Sequence, residues 1–201
     1  KVMKIQAPAA GYEVVGEAKW LLADTSFTTQ VRAMKKAKAD IVSISSHPFT
    51  TCGLLKEMKR QRVKPKIIVG LTSSSSMETL TGCGKAAEGI IIPTSFAPVT
   101  DAARFAAAKT AEQGGSTDLH SASAWENVMI IKQVIEASSV DAKADTVQAD
   151  RGKIRDGLAA LKTTKGLIGT IKRTAEGEAD KPFVFAHAHN SQWEVLHDPA
   201  M

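Results

Sequence analysis

Three short apolar runs follow one another between Ala39 and Pro93: Asp40-Ile41-Val42-Ser43-Ile44, Lys66-Ile67-Ile68-Val69-Gly70 and Glu88-Gly89-Ile90-Ile91-Ile92. Each run is rich in β-branched residues and is bounded by Ser, Gly or Pro, which is typical of a strand buried on both faces. Helical patterns separate the runs, as they do in βαβ units. The stretch therefore predicts an α/β fold with a Rossmann-like parallel sheet.

The loops that leave these strands carry the candidate binding residues. In open parallel sheets, ligands bind outside the carboxyl ends of the strands. Hydroxyl groups dominate the loops here, with one His and two Phe, which suits a small polar ligand with an apolar body. The alternative is that the Ser and Thr side chains cap the helices that follow. The candidate ligand-binding residues are Ser45, Ser46, His47, Phe49, Thr72, Ser73, Ser74 and Phe96.

Composition limits the class of protein. The 201 residues are enough for one large or two small domains, and a hydrophobic fraction of 43% supports a core. The net charge is +5, and the basic residues are scattered apart from Arg32, Lys35, Lys36 and Lys38. Their helical spacing indicates a solvated helix face, so no nucleic-acid partner is expected. No apolar run reaches the roughly 18 residues that span a bilayer, and no signal peptide is recognisable.

The two cysteines, Cys52 and Cys83, do not have metal-ligand spacing and form no disulfide framework. A disulfide between them is possible, but the sequence does not indicate one. His187 and His189 lie on one face of a predicted strand, yet a third metal ligand is not evident, so ordinary strand surface is the expectation. No cofactor and no metal are expected.

Further elements are predicted along the chain. Helices are expected near 1–10, 27–38, 51–61, 74–80, 100–113, 121–138 and 150–162, with Asp24-Thr25-Ser26 as the cap of the second. Strands 12–17, 40–45, 66–70 and 88–92 should form one parallel sheet. Strands 183–189 and 192–196 should join it as an antiparallel addition through a hairpin turn at Asn190-Ser191. A separate strand is expected at 166–171.

Several segments together resemble the type I periplasmic binding proteins that serve ABC importers of branched-chain amino acids and aromatic acids. The start of the second lobe of that family is similar to Ala10-Gly11-Tyr12-Glu13-Val14-Val15, and its next unit resembles Asp24-Thr25-Ser26-Phe27 with residues 36–42. Ala87-Glu88-Gly89-Ile90 matches a recurring strand start. The closing section resembles residues 151–161, Lys165-Gly166-Leu167-Ile168-Gly169 and residues 177–182.

The resemblance implies a two-lobed fold of which this sequence matches about the last half. Residues 1–98 and 166–201 would form the second-lobe sheet domain, and residues 99–165 would be a helical section that belongs to the first lobe and the hinge. The first lobe and the first strand of the second lobe are absent from the match. The apolar faces of helices 121–138 and 150–162 would then need that lobe, or a second chain, as cover.

The function implied is that of a non-enzymatic, extracytoplasmic or periplasmic solute-binding component, with an ABC permease as membrane partner and a signal peptide that is not in this chain. Amino-acid receptors of the family hold the ligand ammonium with an acidic residue after the second of these strands. Residues 71–76 contain no acid, which argues against an amino acid and favours a small organic acid, aromatic acids included, while an amino-acid-like solute stays the other candidate. Hydroxyls, helix N-termini and a protonated His47 would hold its carboxylate, and Phe49 or Phe96 would stack on a ring.

Two alternatives remain open at this stage. The same bilobed fold serves ligand-sensing receptors and regulators, so a sensory domain is the second hypothesis. A hydrolase that uses Ser45, Ser46 or His47 is the third. It is the weakest because no Gly-x-Ser-x-Gly elbow is present and adjacent residues at a strand end point apart.

Overall fold

The computed structural model describes residues 2–197. The helices are α1 (Val2–Ala9), α2 (Thr28–Ala37), α3 (Pro48–Arg60), α4 (Met77–Cys83), α5 (Asp101–Glu112), α6 (Leu119–Ala137) and α7 (Val147–Ala160). The strands are β1 (Ile41–Ile44), β2 (Ile67–Gly70), β3 (Ile91–Thr94), β4 (Thr163–Lys165), β5 (Thr170–Arg173), β6 (Ala179–Asp180), β7 (Val184–His189) and β8 (Gln192–His197). Two compact units result: residues 2–93 with 186–194, and residues 94–185 with 195–197. Among these residues, no helix combines the length and hydropathy needed to cross a membrane.

A five-stranded sheet organises the first unit in the order β1-β2-β3-β7-β8. β1 pairs with β2 in parallel from Ile41↔Ile67 to Ile44↔Gly70, and β2 pairs with β3 in parallel at Val69↔Ile91. The predicted α/β class and the three predicted parallel strands are confirmed, although β3 begins three residues later than 88. Gly70 suits its place in the sheet, because a Cβ there would lie 3.0 Å from Cγ2 of Ile92.

The hairpin between β7 and β8 is also confirmed. Asn190 and Ser191 have φ values of 50° and 61°. Two successive positive φ angles are what a two-residue type I′ turn requires, and Asn tolerates them better than most residues. A two-residue connection makes β8 antiparallel to β7.

The core of the first unit lies between this sheet and the helices that follow its strands. Val42, Ile44 and Ile90 come from the strands, and Val31 comes from α2. α3 contributes Leu54, Leu55 and Met58, and α4 contributes Leu80 and Cys83. The i, i+1, i+4 spacing of the three α3 residues places them on one face of the helix.

The predicted strand at 12–17 is wrong. These residues form no regular element, and Tyr12, Val14 and Val15 are 40–58% exposed. A strand exists only through hydrogen bonds to a neighbour, and within residues 2–197 β1 pairs only with β2. The alternating pattern at 12–17 therefore stays extended without becoming part of the sheet.

The predicted cap of α2 is also wrong. The N-cap residue is Phe27, which makes no side-chain capping bond and buries its ring at 3% exposure. Asp24 instead accepts a hydrogen bond from the N–H of Leu21 at 2.8 Å, which closes the preceding turn. Burial of an aromatic ring has displaced the polar cap that the sequence offered.

The second unit combines α5, α6 and α7 with a three-stranded antiparallel sheet in the order β4-β5-β6. The single strand predicted at 166–171 is wrong, because residues 166–169 form the turn between β4 and β5. Buried Glu126 of α6 accepts a hydrogen bond from the N–H of Leu167 at 2.7 Å. This bond holds the turn against α6, and Leu167 and Ile168 join a core with Phe96, Ala103, Ala106 and Ala122.

The assignment of residues 1–98 with 166–201 and of residues 99–165 to the two lobes of a larger fold stays a prediction.

Candidate functional site

Two loops leave the carboxyl ends of β1 and β2 side by side, because Ile44 and Gly70 are partners in the register. After β1, Ser45-Ser46-His47 leads into α3 at Pro48. After β2, a 3₁₀ turn over Thr72–Ser74 precedes α4, which begins at Met77. The helix predicted to begin at Ser74 therefore starts three residues later.

A network of buried hydroxyl groups joins the two loops. The side chain of Thr51, in the first turn of α3, donates to Oγ of Ser46 at 3.2 Å and lies 2.9 Å from Oγ of Ser74. The hydroxyls of Ser73 and Ser74 both donate to the backbone carbonyl of Ser46, at 3.0 and 2.9 Å. The two loops thus form one rim, because three of these contacts join them: Thr51 to Ser74, and Ser73 and Ser74 to Ser46.

The predicted site residues divide into two groups within this rim. Ser46 and Ser74 are buried, and their hydroxyls, with that of Ser73, are occupied by the network. Ser45, His47 and Phe49 are exposed, Phe49 at 68%, and Thr72 is half-buried. The second group supplies the side chains that a ligand could contact, and the first group holds them in place.

The start of α3 adds an electropositive end to the rim. His47 is its N-cap residue but makes no side-chain capping bond, and Pro48 occupies the first turn. The N–H groups of Phe49 and Thr50 precede the first intrahelical bond, which runs from Thr51 to His47. Such an end favours an anion by about 0.3–1 kcal/mol, and neither loop contains an Asp or Glu to repel one.

Phe96 does not lie in this rim. It belongs to the second unit, where it is 7% exposed and packs with Ala103, Ala106 and Ala122. Its ring is covered by protein atoms, so we leave it out of the proposed site.

Sequence reasoning missed two features of the site. Thr51 stands at the centre of the hydroxyl network, yet it falls inside a helix pattern, where a threonine normally draws no attention. A disulfide joins Cys52 of α3 to Cys83 of α4, with a Cα–Cα distance of 4.6 Å. A sequence separation of 31 residues gives no signal for such a pair, since only the packing of α3 on α4 brings the thiols together.

The protein family of this chain is identified by a family model that matches almost the entire sequence. A family model described as "Periplasmic binding protein" matches residues 1–192. The chain belongs to this family. Among curated proteins, no sequence matches it.

Solved structures of similar fold accompany the family match. This periplasmic binding protein superposes on the leucine-binding protein LivK of Thermotoga maritima with a TM-score of 0.81 and 18% identity, covering 96% of this chain and 54% of that one. A solute-binding protein of a Rhodopseudomonas palustris ABC transporter, in complex with benzoate, gives 0.80 and 17%, covering 97% and 52%. LivJ of Streptococcus pneumoniae, in complex with isoleucine, gives 0.78 and 17%, covering 96% and 55%. The chain therefore spans about half the length of these proteins.

Other polar clusters of this periplasmic binding protein lie apart from the rim. His189 pairs with Glu88 at 2.8 Å and His187 with Glu194 at 3.4 Å, but no group of three or more possible metal ligands occurs within residues 2–197. In the second unit, a cavity of about 150 Å³ lies beside the buried ion pair of Glu126 and Lys181. None of the predicted site residues lines that cavity.

Proposed function

We propose that this periplasmic binding protein is the extracytoplasmic solute-binding component of an ABC importer, with a small organic acid as ligand and an ABC permease as membrane partner. The observation that carries the proposal is the rim at the ends of β1 and β2. It combines a hydroxyl network, the exposed side chain of Ser45, the half-buried side chain of Thr72, and the N-terminus of α3.

The chemistry of the rim favours a carboxylate over an ammonium group. A carboxylate accepts hydrogen bonds from hydroxyls and backbone N–H groups, and both are available here. An ammonium group taken out of water needs an acidic partner, which the loops lack. Exposed Phe49 offers a face for the apolar body of the ligand, aromatic or aliphatic. The benzoate complex and the isoleucine complex of the similar structures both contain a carboxylate next to an apolar group.

The disulfide supports an extracytoplasmic location. Disulfides persist in oxidising compartments such as the periplasm and are rare in the cytosol. Cys52 and Cys83 are both buried, as expected of a structural cross-link.

Calorimetry on the full-length protein tests the proposal. Benzoate, isoleucine and a series of aliphatic acids would be titrated first. Ser45→Ala and Thr72→Val should each weaken the best ligand by about 0.5–1.5 kcal/mol, because each removes one hydroxyl from the rim. Ser43→Ala, at an exposed position of β1, is the matched control and should leave affinity unchanged. Unchanged affinity in both rim variants, with the fold intact, would contradict the proposed site.

A further inference from the structure

The Cys52–Cys83 disulfide lies directly behind the rim. Cys52 follows Thr51, whose hydroxyl joins the two loops, and Cys83 is the last residue of α4. Sγ of Cys52 also lies 3.7 Å from the backbone carbonyl of Thr79, in the middle of α4. The short helix α4 is therefore linked covalently to α3 at its end and packs against Cys52 near its centre.

The disulfide closes a covalent ring that contains half of the rim. The ring runs from Cys52 to Cys83 and includes β2, the 3₁₀ turn over Thr72–Ser74 and all of α4. Within the ring, the second loop is joined to the first by the hydroxyl contacts of Ser73 and Ser74 with Ser46 and Thr51. The cross-link at the far end of α4 adds a covalent constraint to these hydrogen bonds.

The segment between the 3₁₀ turn and α4 is short of other side-chain support. Ser75 and Ser76 of this segment and Thr79 of α4 are buried, and their hydroxyls find no hydrogen-bond partner among residues 2–197. Buried hydroxyls without a protein partner weaken a segment rather than hold it. The contacts that fix this segment are the indole N–H of Trp193 on the carbonyl of Ser76, at 3.4 Å, and the packing of α4 on α3.

We propose that the Cys52–Cys83 disulfide is a positioning element of the binding site: it fixes the loop after β2 against Thr51, so that Thr72 and Ser45 keep the spacing that ligand binding needs. The expected effect on ligand binding rests on the proposed function. The expected effect of the disulfide on the loop does not depend on any ligand. A cross-link between helices that each begin at a binding loop reduces the motion of those loops, because it restricts the helices that carry them.

Hydrogen exchange tests the positioning role without a ligand. In the full-length protein, Cys52→Ala with Cys83→Ala should speed exchange of the amides of residues 71–79 by about tenfold or more, while the amides of β1 and β2 change little. Met58→Ala is the matched control, because it removes a buried side chain from α3 and keeps both cysteines and every hydroxyl of the network. It should speed the exchange of strand and loop amides together. Equal acceleration of loop and strands in the double variant would overturn the proposal and leave the disulfide a purely global stabiliser.

Calorimetry tests whether loss of the disulfide weakens ligand binding. With benzoate and isoleucine as probes, at a temperature where all variants are folded, the double variant should bind the better probe about fivefold or more weakly, and Met58→Ala should bind like the wild type. Equal affinity of the double variant and the wild type would overturn the positioning role. If the wild type binds neither probe, the proposed ligand class fails, and the exchange experiment still decides the role of the disulfide.

Discussion

Asp150 organises the loop between α6 and α7 from the first turn of α7. Its buried carboxylate accepts hydrogen bonds from the hydroxyl of Thr146 at 2.7 Å and from the N–H groups of Asp141 and Ala142 at 3.1 and 3.0 Å. The bond from Thr146, followed by that from Asp141, lowers the pKa of Asp150 from 3.8 to about 2. Ala142 has a φ of 57°, so these bonds hold a backbone conformation that alanine rarely adopts.

The lowered pKa of Asp150 predicts an acid-sensitive contribution to stability. Since the pKa is lower in the folded chain than in the unfolded chain, the contribution is complete above about pH 4 and is lost as pH falls through about 2. Asp150→Asn should therefore lower the free energy of unfolding at pH 7, and the deficit should shrink between pH 4 and 2. Urea unfolding over this range measures it, with Asp145→Asn, exposed in the same loop, as control. A deficit that is constant with pH would exclude this role of the carboxylate.

Single side chains of the site were only partly predictable from the sequence. The hydroxyl-rich loops and their convergence followed from strand order, because parallel neighbours end at the same edge. The sequence did not show which hydroxyls would form the network between the loops and which would face a ligand. Ser46, Ser73 and Ser74 are occupied by one another and by Thr51, and such pairings depend on loop geometry that residue spacing does not determine.

At the scale of elements, α7 carries two glycines with opposite surroundings. A Cβ on Gly157 would lie 2.7 Å from Cγ1 of Val134 and 2.8 Å from Oγ of Ser138, both on the α6 side of the contact. A Cβ on Gly152 would meet nothing within 4 Å. Gly157 therefore allows the two helices to approach closely, whereas Gly152 only weakens its helix.

Alanine at these two positions should act in opposite directions. Gly152→Ala should stabilise the chain by about 0.5–1 kcal/mol, because alanine favours the helix. Gly157→Ala should destabilise it by about 1–3 kcal/mol, because the added methyl group pushes α7 away from α6. Urea unfolding of both variants gives the comparison. Stabilisation by Gly157→Ala would show that the contact between α6 and α7 is not tightly packed.

A helix or strand was predictable from the sequence where its residue pattern favoured it and a neighbouring element was present to pair or pack with it. The runs that became β1, β2 and β3 have partners in the sheet, whereas residues 12–17 carry a similar alternating pattern and have none. Residues 166–171 failed for another reason. The buried carboxylate of Glu126 binds the backbone of Leu167 and turns an apolar run into a bend, and a contact between residues so far apart in sequence leaves no local trace.

At the scale of the whole molecule, α6 leaves an apolar face open to solvent. Val134 is buried, and Gly157 of α7 approaches it closely, but several larger side chains are 37–64% exposed: Trp125, Val128, Met129, Ile131 and Ile135. A contiguous apolar face of this kind normally lies in an interface. The chain spans about half the length of its structural relatives. We therefore expect the first lobe of the two-lobed fold, or a second chain, to cover this face.

The 201 residues alone should therefore bind a hydrophobic dye and associate with increasing concentration, and the full-length protein should not. Dye fluorescence and sedimentation velocity measure the two effects. Val128→Lys with Ile135→Lys should reduce both, because the two positions lie on the same side of α6. Gln133→Lys with Ala137→Lys adds the same two charges at exposed positions on the opposite side of the helix and should change neither. A monomer that binds no dye would show that the chain needs no cover.

The covalent ring from Cys52 to Cys83 also governs what a protease can release. The turn between α3 and β2 carries exposed Arg62, with a φ of 56°, and exposed Lys64. A single cut after Arg62 falls inside the ring, so both products stay joined through the sulfur atoms. The nicked chain keeps its mass without reductant and separates into two fragments only when the bond is reduced. A break in the backbone beside the sheet would therefore not, by itself, set β2 and its binding loop free.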